Sequence, residues 1–101
     1  MDYLSYKGAK LPLRVSYYAL KQYQVETGKD ISSLDESIAN LEILLYYALK
    51  AGAKADNKLF EIPREEMEFI LDEALPEFNS ILIGSFQTSN ATATSKGAKK
   101  N

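Results

Sequence analysis

The chain opens on two short alternating runs. Asp2 to Tyr6 places Tyr3 and Ser5 against Leu4 and Tyr6, and Leu11 to Val15 alternates again after Lys7-Gly8-Ala9-Lys10. Alternation with period two broken by a glycine-bearing turn predicts a short β-hairpin. Pro12 has no amide to donate, so the second strand must carry it at an edge or at its start. Downstream the period changes. Ser16 is placed to cap a helix running to about Thr27, with Gly28 as its left-handed stop. Ala19, Leu20 and Tyr23 fall on one face of that helix, and Lys21, Gln22, Gln24 and Glu26 on the other. Ser33-Leu34-Asp35-Glu36 reads as a capping box with Ile31 as its hydrophobic staple. The helix it announces carries Leu34, Ile38, Leu41, Leu45 and Ala48 at steps of four and three, a core stripe. From Ile43 to Leu49 every residue is apolar or tyrosine, so this helix is apolar around its whole circumference and calls for a second partner.

After Gly52 and a polar connector, Leu59 to Ile62 leads into Pro63, which suits the first residue of a helix. Met67, Ile70, Leu71 and Ala74 form its expected inner face, and Glu65, Glu66, Glu68, Asp72 and Glu73 its outer one. Pro76 is expected to end it. A last short helix, Glu77 to about Phe86, presents Phe78, Ile81, Leu82 and Phe86. Gln87 to Asn101 offers nothing to bury and is expected to form a flexible polar tail. The expected architecture is mainly α: an N-terminal hairpin, about four helices, one domain over residues 1–86 and a disordered tail over 87–101.

Composition narrows the function. A chain of 101 residues holds one core. It has no cysteine and no histidine, so thiol nucleophiles, thiolate metal sites and the commonest neutral-pH acid, base and metal ligand are excluded. The lack of cysteine suits the cytoplasm. The five glycines are scattered singly, with no phosphate-cradling loop, and no apolar run approaches the roughly 18 residues of a membrane span. Residues 1–86 hold nine Lys and Arg against fourteen Asp and Glu, a poor grip for a nucleic acid. A helix-turn-helix reading about Gly28 would bury its reading helix. The seven acids between Glu61 and Glu77 lack the glycine-turn spacing of a calcium loop and read as a solvated face. Neither a catalytic residue, a cofactor nor a metal site is expected.

The tyrosine pairs Tyr17-Tyr18 and Tyr46-Tyr47 must each serve two helix faces, because neighbours on a helix diverge by about 100°. Tyrosine is also enriched at interfaces. Leu44, Tyr46 and Tyr47, with Phe78, Ile81, Leu82 and Phe86 of the last helix, are therefore the expected protein-binding residues, and self-association is expected from the all-apolar stretch.

The hairpin with Gly8 in its turn, Ala19-Leu20 with Tyr23 and the Thr27-Gly28 stop, the segment LLYYALKAGA over residues 44–53 and the short acidic helix together resemble the tail assembly chaperones of long-tailed bacteriophages. The likeness covers roughly residues 3–80 and rests on hydrophobic pattern. It implies a small oligomeric helical protein of the host bacterial cytoplasm, without cofactor, that keeps the hydrophobic tape measure protein soluble and helps recruit tail tube protein. A longer product made by ribosomal slippage near Ala98 to Asn101 is a further implication. A structural or adaptor subunit of a virion connector or tail would have the same size and pattern.

Overall fold

A computed structural model of the chain describes residues 2–93, with side chains over 2–34 and 36–85. It is mainly helical: strands β1 (Asp2–Tyr6) and β2 (Ala9–Leu13) form an antiparallel hairpin, followed by α1 (Tyr17–Thr27), a 3-10 turn (Ile31–Glu36), α2 (Ile38–Ala55) and α3 (Glu66–Ala93). Three helices are found where about four were expected.

The hairpin closes through two residues, Lys7 at φ 50° and Gly8 at φ 78°, so β2 begins at Ala9 and ends at Leu13, two residues earlier than the alternation implied. Positive φ at both central positions is the twist-matched turn for a two-residue loop. Tyr6 pairs with Ala9 and Tyr3 with Pro12. Counting from the closing pair, Pro12 occupies a non-hydrogen-bonded pair, where an amide would point away from β1, so its missing donor costs the ladder nothing. Leu4, Tyr6 and Leu13 are buried.

Both outer edges of this small sheet are covered by helices. On the β2 side, the Arg14 amide donates to the Ala48 carbonyl at 3.0 Å. Gly52 lies in the last turn of α2, where a Cβ would sit 2.5 Å from the Leu13 Cα. Its role is close approach, and α2 continues past it to Ala55. On the β1 side, the Ser5 amide donates to Glu77 Oε1 at 3.0 Å and the Lys7 amide to Glu73 Oε2 at 2.9 Å. Tyr6 Oη donates to Glu66 Oε2 at 2.7 Å. Three acids of α3 are thus clasps on the hairpin, which corrects the reading of Glu66 and Glu73 as part of a solvated face.

Helix α1 is bounded as expected, by the Ser16 hydroxyl accepting from the Ala19 amide at 3.4 Å and by Gly28 at φ 72°, whose amide donates to the Gln24 carbonyl. The next expectation fails. Ser33 is not a helix cap: it is buried, donates to the Asp30 carbonyl at 2.8 Å and accepts from the Tyr23 phenol at 2.8 Å. With Ser33 so engaged, Asp30 caps a 3-10 turn, and Ser37 caps α2 through the Ala39 amide at 3.1 Å. The helix starts later, the four-residue step from Leu34 to Ile38 is broken, and Ile38 is 77% exposed.

Pro76 bends α3 rather than ending it. Ala74 leaves helical geometry (φ −127°, ψ 20°), which accommodates the missing amide and ring of Pro76, and the helix resumes beyond it. The expected fourth helix is this second half, whose Phe78 and Leu82 return to the same core as Met67, Ile70, Leu71 and Ala74. At the other end, Pro63 precedes the helix instead of opening it, its carbonyl accepting from the Glu66 amide. The backbone of α3 extends to Ala93 rather than stopping near Phe86. The rest of the expected tail, 94–101, lies outside the described residues.

Candidate functional site

The expected binding residues fall into three groups. Leu44, Phe78 and Leu82 are core residues, at 0%, 0% and 5% exposure, and present no surface to a partner. Ile81 is half-buried against the same core, and the side chain of Phe86 lies outside the described residues. Tyr46 and Tyr47 are half-buried and packed against the core, and they carry a developed side-chain cluster. The stretch Ile43 to Leu49 has no fully exposed side chain, because α2 is packed by β2, α1, the 3-10 turn and α3. Its second partner is within the chain, which removes the reason first given for self-association.

The cluster is built around Arg64. Its guanidinium makes two hydrogen bonds to Glu26 of α1, at 2.8 and 2.9 Å, and lies 4.3 Å from the Tyr46 ring centroid and 5.5 Å from that of Tyr47. The Tyr47 phenol donates to the same carboxylate at 2.8 Å. Edge-to-face contacts extend the cluster: Tyr18 with Tyr47 at 6.2 Å, Tyr46 with Tyr47 at 5.2 Å, and Tyr46 with Phe60 at 5.3 Å. Such pairs favour the edge-to-face arrangement because the ring edge is positive and its face negative.

The electrostatics follow from these contacts. Hydrogen bonding to Arg64 holds the Glu26 carboxyl below the usual glutamate range. Burial, then the hydrogen bond to Glu26, raises the Tyr47 phenol, and the bonds to Glu26 raise Arg64. A forked pair beneath aromatic rings ties the connector ahead of α3 to α1 and α2. Chemically it is a fastening. Each charged or hydroxyl group of the Glu26, Arg64 and Tyr47 triad is already engaged by another member, so a partner would meet only the aromatic rim, where Tyr18 is 39% exposed.

The sequence pointed to Tyr46 and Tyr47 but not to Glu26, Tyr18, Phe60 or Arg64, their partners. Arg64 stands out as the only cation between Glu61 and Glu77, a signal that it answers a particular acid, although nothing local names Glu26, 38 residues away. Among the described residues no group of acids is arranged to hold a metal ion, and no helix is long and apolar enough to cross a membrane. No known family model matches the chain, and no curated protein or solved structure does.

Proposed function

We propose that the chain is a non-enzymatic tail assembly chaperone of the kind made by long-tailed bacteriophages, a self-associating protein that shields hydrophobic helical segments of a tape measure protein and helps recruit tail tube protein. The supporting observation is the distribution of apolar surface. Tyr17 and Val25 on α1, Ile38 on α2, Leu59 in the connector, and Phe69 and Ile83 on α3 are all exposed, with Leu59 at 85%. Single exposed apolar residues are ordinary, but large ones on every helix of so small a chain give an apolar helix many places to dock. The likeness in hydrophobic pattern supplies the identity of the client.

The test is co-expression with a tape-measure-type protein rich in long apolar helices. The chain is expected to raise the client's soluble yield and to co-purify with it. An Ile38→Ser, Leu59→Ser double variant is expected to keep its circular dichroism and thermal midpoint while losing much of that effect. A client equally insoluble with and without the chain would overturn the proposal.

A further inference from the structure

A positively charged cavity lies where the end of β2, the start of α1, the last turns of α2 and the connector meet. It is open, has a volume of about 830 Å³, and is bordered by Arg14, Lys50, Lys54 and Lys58 around the aromatic rings of Tyr18 and Phe60. Lys58 is compensated by Asp56 at 3.3 Å. Arg14, Lys50 and Lys54 form no ion pair among the described residues. In a chain of net charge −2, three cations without an ion pair, one of them Lys50 at 5.9 Å from the Tyr46 ring, over an apolar floor suit a ligand that is both anionic and apolar.

The same chain carries that combination on α3. Phe69 is 56% exposed, Glu68 and Asp72 lie within one helical turn of it, and Glu65 stands in the turn just ahead of the helix. Glu66, Glu73 and Glu77 are committed to the hairpin, and Lys7, the cation beside this surface, is placed 4.0 Å from Glu66. Glu65, Glu68 and Asp72 form no ion pair among the described residues. Glu68 and Asp72 are four residues apart on α3, as Lys50 and Lys54 are on α2, so both pairs leave their helices from Cβ atoms at the same spacing of roughly 5–6 Å. The cavity and the Phe69 surface share no residue.

We infer that the cationic cavity is the receptor for the Phe69 surface of a second copy of the chain, with Phe69 entering between Tyr18 and Phe60 while Glu68 and Asp72 meet Lys50 and Lys54. This deepens the self-association in the proposed function and rests on that part of it. Because knob and socket are different surfaces, the contact is head-to-tail: each copy uses both, and assembly grows into a ring or a filament rather than stopping at a dimer.

Light scattering coupled to size exclusion tests it on the full chain. The wild type is expected to form species larger than a dimer at low salt and to dissociate at high salt. A socket variant, Lys50→Ala with Lys54→Ala, and a knob variant, Phe69→Ser with Glu68→Ala, are each expected to be monomeric alone, with unchanged circular dichroism. Mixed, they retain one working knob and one working socket and are expected to form a 1:1 complex that grows no further. A monomeric wild type, assembly surviving in either variant, or a mixture that stays monomeric would overturn the inference. So would binding of a fluorescent single-stranded oligonucleotide that the socket variant loses, since the cations would then serve a nucleic acid. Variants that are monomeric yet still solubilise the apolar client leave chaperone activity standing, so the two proposals fail separately.

Discussion

The backbone amide of Ser5 donates to the carboxylate of Glu77, 72 residues away, at 3.0 Å. This bond and its neighbour from Lys7 to Glu73 are what a third strand would otherwise supply. A two-stranded hairpin is marginal alone and its unpaired edge invites pairing with another chain. Acids on a helix therefore do here the work of a strand edge. Glu77→Ala is expected to lower stability by about 1–2 kcal/mol, since a hydrogen bond to a charged acceptor is lost at a partly covered amide. Glu77→Gln keeps an acceptor and is expected to cost less. Denaturant midpoints of the two variants give the comparison, and equal losses would show that only the charge matters.

Gly52 offers a test whose sign is informative. In an open helix, Gly→Ala stabilises by roughly 1 kcal/mol because alanine restricts the unfolded chain. Here the new methyl would meet the backbone of Pro12 and Leu13, which cannot rotate away as a side chain can. Gly52→Ala is expected to destabilise by about 2–3 kcal/mol, an overpacking cost. Thermal melts would show which term wins, and a stabilised variant would mean that α2 and the hairpin are farther apart than described.

Most of the architecture was legible where the signal is local. The hairpin, the Ser16 and Gly28 boundaries of α1 and the buried face of Met67, Ile70, Leu71 and Ala74 depend on turn chemistry and periodicity, and they are found, with only the second strand displaced by two residues. What escaped depends on partners far along the chain. Ser33 fits a capping box by spacing, but the Tyr23 phenol claims its hydroxyl. Gly52 looks like a stop until β2 is placed against it. Pro76 has the signature of a helix end, yet Phe78 and Leu82 find the same core on the far side of a bend. The candidate site divided similarly. Tyr46 and Tyr47 could be picked out by type, whereas the burial of Leu44, Phe78 and Leu82 was set by the tertiary arrangement.

The Glu26 and Arg64 pair carries the last prediction, on pH. Glu26 accepts two bonds from Arg64 and one from Tyr47, so its folded pKa lies below its unfolded one. A depressed carboxyl stabilises the fold at pH values above the unfolded pKa, about 4.3 for glutamate, and that contribution disappears as pH falls through the lower folded value. Arg64 stays charged throughout, so acid affects the pair only through Glu26. The side chains remain 32% and 43% exposed, and water screens them, so the contribution is at most about 1 kcal/mol. Unfolding free energy measured from neutral pH into this acid window is expected to fall less steeply in Glu26→Gln than in the wild type. The comparison is of slopes, because the substitution also lowers stability at neutral pH by weakening the hold on Arg64, whereas an amide cannot titrate. Parallel acid limbs in the two proteins would show that the pair contributes nothing pH-dependent.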